Sequence, residues 1–440
     1  MCRIINFPPL SKKPSLIALF IFILSLNGCA LMGKIKVSPW YSPSYPEEEI
    51  ERNQFLLAKE DDVIGRLSFV RLEKDDTLPD IARHFSLGIN EINTANPGVD
   101  IWVPENGERI MLPLCFILPD APRKGIVINL AAMRLFQFKG NSNFLTVLTY
   151  PVGIGTSERP TPMGQMYVYR KMARPTWHVP ASIAEDHRKK GDPLPSFILP
   201  GPENPLGEYA LYLSKSGYLI HGTNKPSSIG LKATNGCIRL YPEDIKMLFK
   251  STPVKTPVSI VNQPYLIGQR NGLVYLEAHV PLEDSGASEL EKMYAKLKNI
   301  EKKSVNTLDR KKVQVVLNEA RGIPVPILEI RKESGEGADD EAIEVEHPVK
   351  LYGKPEIPEL KMESWYVLAA QMQDKIDALR IAAIINHQGP QIPARVISKN
   401  DSYRVITGPF NDIGKARDAI KRLKIDLEID GKLIEPVRKK

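Results

Sequence analysis

Residues 219–244 read L-I-H-G-T-N-K-P-S-S-I-G-L-K-A-T-N-G-C-I-R-L-Y-P-E-D, and they govern how the middle of the chain folds. A short apolar run ends in His221, a loop rich in Pro, Ser and Gly follows, and a basic, apolar octet places Cys237 directly after Gly236. Pro242, Glu243 and Asp244 then open a helix, because Pro fits a first turn and carboxylates favour the positive end of the helix dipole. A thiol with a reference pKa of about 8.5 is mostly protonated at neutral pH, so a reactive Cys needs a base. His221, sixteen residues upstream of Cys237, is the candidate. Gly236 lets the backbone turn closely, so that N–H groups near Gly236 and Cys237 can face a developing oxyanion. Arg239 supplies a carboxylate-binding head. Spacing alone leaves open a packing thiol beside a packing imidazole. No second Cys or further set of His and carboxylate ligands surrounds the pair, so neither metal nor cofactor is expected.

Outward from this stretch, residues 125–262 alternate apolar and polar positions between turns: G-I-V-I-N-L, M-R-L-F-Q-F, L-T-V-L-T-Y-P-V-G-I-G, M-Y-V-Y-R-K, Y-A-L-Y-L-S and Y-L-I-H-G-T. That pattern predicts an all-β sandwich or barrel-like core with about two helices.

H-G-T-N with G-L-K-A-T-N-G-C-I-R-L-Y-P-E-D-I, preceded by T-P-M-G, resembles the L,D-transpeptidase catalytic (YkuD) domain over residues 124–262. The resemblance implies a β-sandwich core, Cys237 as nucleophile and His221 as general base. It also implies that a backbone carbonyl just after the base, near Gly222 and Thr223, orients the imidazole. Thr234 and Asn235 stand where the family usually has Ser-His, and Asn235 keeps an amide donor. With Arg239 they are candidate substrate contacts. Thr161 and Pro162, in T-P-M-G, are expected to shape the substrate groove.

Two flanking units read as small domains. Residues 66–114 give strand F-V-R-L, helix L-P-D-I-A-R-H-F, helix I-N-E-I-N-T-A-N and strand R-I-M-L-P, with Asp76 or Thr77 as cap and Ile81 and Phe85 on one face. D-D-T-L-x-x-I-A-x-x-F and I-N-x-A-N-P-G resemble a LysM domain, a module that binds glycans containing N-acetylglucosamine. Residues 363–440 read as β-α-β-β-α-β. Y-R-V-I-T-G-P-F with K-A-R-D-A-I-K-R-L resembles a SPOR domain, which binds peptidoglycan strands stripped of their peptides. Residues 263–361 are expected to be an extension, with a charged helical run at 288–320 and a flexible acidic linker.

At the front, Lys12 and Lys13 precede an apolar run from Leu16 to Leu26, too short for a membrane span and suited to a signal peptide over residues 1–28. L-N-G-C resembles a bacterial lipobox, which implies lipidation at Cys29 and an outer-membrane anchor facing the periplasm. Residues 29–64, Pro-rich and then acidic, read as a tether. Only Cys115 and Cys237 then remain in the body, and Cys115 sits in an apolar, Pro-bounded stretch where a free thiol packs as a hydrophobe. A net charge of +7 over 440 residues, with no Lys/Arg block carrying aromatics, argues against a nucleic-acid partner. The expected partners are peptidoglycan stem peptides and glycan strands, with an envelope lipoprotein as a further acceptor that the resemblance allows. The alternative is a non-catalytic tether in which the flanking domains clamp the wall and the core has decayed.

Overall fold

The central strands of the nine-stranded sheet are buried on both faces, so successive side chains enter two different cores. Ile126, Ile128, Leu135, Leu148 and Tyr150 point into one core, which they share with Ile220, Ile238 and Leu240. Val127, Phe136, Phe138 and Val147, the intervening residues, point into a second core made with Leu78, Ile81, Ile92 and Ile110 of the N-terminal module. A computed structural model describes residues 54–58, 60–140, 145–282, 286–303, 307–328 and 342–437. The predicted signal peptide and Cys29 lie outside the described residues, as does most of the tether.

The sheet order is Gln54–Leu57, Leu145–Pro151, Arg134–Gly140, Gly125–Asn129, Pro257–Val261, Gly164–Ala173, Tyr209–Leu213, Leu219–His221 and Ile238–Arg239. Leu148, beside one edge, and Ile238, on the other, occupy the same core, so the sheet curls over on itself. Gly164–Ala173 passes from one half of the curl to the other, pairing with Pro257–Val261 through residues 164–167 and with Tyr209–Leu213 through residues 168–173, in keeping with the expected sandwich or barrel-like core. The first strand is a correction: Gln54–Leu57, assigned by sequence to the tether, pairs antiparallel with residues 145–148. Such pairing across some 90 residues leaves no local pattern.

Strand Ser68–Arg71, helix Leu78–His84, helix Ile89–Ala95 and strand Arg109–Leu112 form the N-terminal module. Thr77 caps the first helix by accepting from Asp80 N at 3.2 Å. The module is bound to the sheet by charge as well as by its core. Arg134, 1% exposed, donates from Nε and Nη2 to the two carboxylate oxygens of Glu91, each at 2.7 Å. Helix Pro242–Ser251 adds Glu243, which accepts from Arg83 at 2.9 and 3.1 Å, and Asp244, which accepts from Ser86 Oγ at 3.0 Å.

The expected extension is folded, with helices in the predicted charged run, while the acidic linker that follows it lies mostly outside the described residues. Tyr265–Arg270 and Leu273–Ala278 form a hairpin that Val325–Pro326 joins, and helices Gly286–Lys303 and Arg310–Glu319 close a separate core over it. Farther on, Ile343–Glu344 pairs parallel with Ser68–Phe69. The last unit has strands ordered Ala394–Lys399, Ser402–Phe410, Trp365–Met372 and Lys432–Ile434. Helices Lys375–Asn386 and Ile413–Leu427 pack through Ala378, Ile385, Ala416 and Leu423 on one face, giving the predicted β-α-β-β-α-β order. Among the described residues no helix is long and apolar enough to cross a membrane.

Candidate active site

Strands Leu219–His221 and Ile238–Arg239 run parallel, with Ile220 opposite Ile238 and His221 opposite Arg239. The two isoleucines fall into the core, so His221 and Arg239 share the other face. Cys237 immediately precedes strand Ile238–Arg239, with its thiol close enough to Arg239 to feel its positive charge.

His221 is 4% exposed, and its Nδ1 lies 2.6 Å from the carbonyl oxygen of Gly222. Burial, reinforced by the positive charge of Arg239, pulls its pKa down to about 3, against the opposing pull of the Gly222 and Leu206 backbones. The ring is thus neutral at pH 7, with Nδ1 donating and Nε2 left as the acceptor. Cys237 is half-buried, and its Sγ lies 3.8 Å from Gly217 O. Burial pushes the thiol up, while the Leu219 backbone and Arg239 pull it down. The resting pair is a thiol and a neutral imidazole.

The T-N-G-C turn is braced internally. Thr234 Oγ1 donates to Cys237 O at 2.7 Å and accepts from Gly236 N at 3.1 Å. These bonds commit the Thr234 hydroxyl to the turn, away from substrate, and take the Gly236 N–H out of the predicted oxyanion pair. Gly236 has φ +99°, and a Cβ there would meet Tyr218 Cε1 at 2.8 Å, so only Gly fits. Thr223 is likewise turned inward, its Oγ1 accepting from Lys225 N at 2.9 Å. Thr161 is 6% exposed and accepts from Gly155 N at 2.9 Å, which makes it a brace of the neighbouring turn, while Pro162 is half-exposed. Arg239 Nη1 lies 3.5 Å from Ser228 Oγ, and its buried Nε has no partner among the described residues. A planar donor head with open valence is suited to a carboxylate.

An insert borders this face. Trp177–His178 pairs with Phe197–Ile198, helix Ala181–Lys189 lies between them, and the buried Asn204 amide ties the insert's base to Pro175 O at 2.8 Å. Sequence reasoning missed Arg159, Asp186, Tyr218 and Ser228. Arg159, in the G-T-S-E-R-P turn before Thr161, was legible only as a surface charge.

The YkuD family profile, L,D-transpeptidase catalytic domain, matches residues 123–260, and the SPOR domain profile matches residues 361–434. A probable L,D-transpeptidase ErfK/SrfK of Escherichia coli (strain K12) is 40% identical over 229 residues, covering 51% of this chain and 73% of the relative. The chain belongs to the L,D-transpeptidase family. Two solved structures resemble this transpeptidase: the Ldtfm-avibactam carbamoyl enzyme and the catalytic domain of the E. faecium L,D-transpeptidase. The first is 22% identical with a TM-score of 0.25, covering 36% of this chain and 55% of that one. The second is 22% identical with a TM-score of 0.25, covering 32% of this chain and 99% of that one. The transpeptidase is a multidomain, mainly β protein whose C-terminal unit is a SPOR domain.

Proposed function

We propose that the transpeptidase uses Cys237 as nucleophile on the tetrapeptide stem of peptidoglycan, with His221 as general base. The observation that supports this reading is the parallel register that sets His221 opposite Arg239, two residues after Cys237. As Sγ attacks the carbonyl of the third stem residue, a diamino acid, the thiol proton passes to Nε2 of His221. The C–N bond to the terminal D-Ala then breaks, the imidazolium returns that proton to the departing amine, and a thioester remains on Cys237. An acceptor amine, from another stem's diamino acid or from an envelope lipoprotein, attacks the thioester. His221 takes its proton and delivers it to the leaving sulfur.

Gly222 orients the base through its carbonyl, and Thr223 and Thr234 hold the two turns. The Cys237 N–H is the oxyanion donor in this reading, because the Gly236 N–H is engaged. Arg239 receives a stem carboxylate. Residues 66–114 act as a LysM-like glycan module and the SPOR domain as a second one, on a chain anchored through lipidated Cys29 to the outer membrane and facing the periplasm. The test is incubation with a tetrapeptide stem: release of D-Ala and an acyl mass on Cys237, absent from Cys237→Ala, support the reading. No adduct and no D-Ala would favour the tether.

A further inference from the structure

Asn235 replaces the imidazole that usually precedes the Gly-Cys pair, and its surroundings give it a defined orientation. Asn235 Oδ1 accepts from Arg159 Nη1 at 2.5 Å, and the same guanidinium donates through Nη2 to Asp186 Oδ2 at 2.6 Å. Asp186 belongs to the insert helix Ala181–Lys189. A guanidinium only donates, so the amide must offer it oxygen, which turns the NH2 group the other way. The orientation follows from chemistry and is not open to an amide flip.

The turn bearing Arg159 is stitched to the nucleophile turn. Thr156 N donates to Thr234 O at 3.0 Å, and Ile154–Gly155 pairs with Lys232–Thr234. A Cβ on Gly236 would also lie 3.2 Å from Pro160 O, so the two turns pack backbone to backbone. Arg159 and Asp186 are 35% and 45% exposed, and a pair so exposed adds little to stability. Its effect is orientation: with Oδ1 engaged, Asn235, two residues before Cys237, keeps its two N–H donors for another acceptor.

We infer that Arg159 is a positioning residue, holding Asn235 so that its NH2 group donates to a carboxylate or carbonyl oxygen of the acyl donor away from the reacting centre. Asp186 holds Arg159 in turn, which links the seating of the insert helix to substrate binding. This rests on Cys237 being the nucleophile.

Steady-state acylation of Cys237 by a tetrapeptide, followed by intact mass in the full chain, tests it. Asn235→Asp keeps the contact with Arg159 but removes both donors, and Arg159→Ala frees the amide. Each should raise KM about tenfold or more with kcat within about threefold, as expected for a lost hydrogen bond to a charged ligand group. Arg159→Lys should recover most of the loss, and the double variant should be no worse than either single one. A wild-type adduct with KM unchanged in Asn235→Asp, or with kcat reduced and KM constant, overturns the inference alone. Absence of any wild-type adduct overturns the nucleophile assignment and this inference together. Should Arg159→Ala fail to fold, Asn235→Asp carries the test.

Discussion

The Nδ1 atom of His221 lies 2.6 Å from the carbonyl oxygen of Gly222, its own neighbour in the chain. That bond fixes which nitrogen carries the proton, and burial beside Arg239 keeps the ring neutral down to about pH 3. Acylation is then expected to show kcat/KM flat from about pH 5 to 8, with no inflection near the ordinary imidazole value of about 6.5. His221→Ala should cut acylation by about 10²- to 10⁴-fold. Stability has the matching sign: the unfolded imidazole binds a proton that the native ring refuses, so this contribution is full above about pH 6.5 and is lost toward pH 3. The urea midpoint of the wild type should fall more steeply across that window than that of His221→Gln. A rate inflection at 6.5 would contradict the neutral pair.

Gly236 answers two demands at once, a φ of +99° and the ring edge of Tyr218. Gly236→Ala should cost about 1–3 kcal/mol of stability and displace Cys237 from its turn. The expected reading is a lowered unfolding midpoint with acylation reduced beyond what the loss of folded protein explains. Tyr218→Ala in the same chain should relieve the clash but not the backbone strain, restoring only part of the midpoint.

The parts of this architecture that could be read in the sequence are those whose cause is local. The strand periodicity around Phe136, the Thr77 cap, and the His221, Gly236 and Cys237 order all lie within short windows. The SPOR order was legible for the same reason, since its strands and helices are each written in a short window, as in Y-R-V-I-T-G-P-F of Ser402–Phe410 and K-A-R-D-A-I-K-R-L of Ile413–Leu427. What the sequence hid are meetings of distant residues. Gln54–Leu57 joins a sheet edge, Ile343–Glu344 joins the N-terminal strand, and Glu91 meets the buried Arg134 across 43 residues.

The Glu91 and Arg134 pair gives the third prediction. Arg134 is enclosed, with Thr149 Oγ1 at 3.2 Å and Ser86 O at 3.2 Å completing its bonds. Removing one member leaves the other charged and poorly hydrated, so Arg134→Met should destabilise the chain by about 3–5 kcal/mol. Arg134→Met with Glu91→Leu should recover a large part of that loss, because the pair itself is worth less than the penalty for an orphaned charge. Denaturant unfolding of the four chains of this cycle supplies the coupling energy. Equal and additive losses would show that the two residues do not act as a unit.

Gly389 supplies the last prediction, on how the SPOR domain is seated against the loop between His221 and Cys237. A Cβ on Gly389 would lie 1.6 Å from Asn224 O and 2.8 Å from Lys225 Cα, a clash with backbone that no rotamer can relieve. Around that contact Ser227 Oγ donates to His387 O at 3.0 Å, and Lys225 Nζ lies 3.2 Å from Asp426. Lys421, on the same SPOR helix as Asp426, reaches Asp192 beside the insert helix at 2.7 Å. Gly389→Ala should therefore part the SPOR domain from residues 224–228 while its own core, built on Val367, Ile385 and Leu423, remains folded. Amide exchange at residues 227–229 should accelerate about tenfold or more, as local opening replaces a docked loop, while exchange in Ser402–Phe410 stays slow. Because that loop leads through Lys232–Thr234 into the turn carrying Cys237, acylation should slow in the same variant. Lys225→Ala, which removes only an exposed ion pair, should leave exchange nearly unchanged. If Gly389→Ala and Lys225→Ala protect residues 227–229 equally well, the backbone contact at Gly389 does not hold the two domains together.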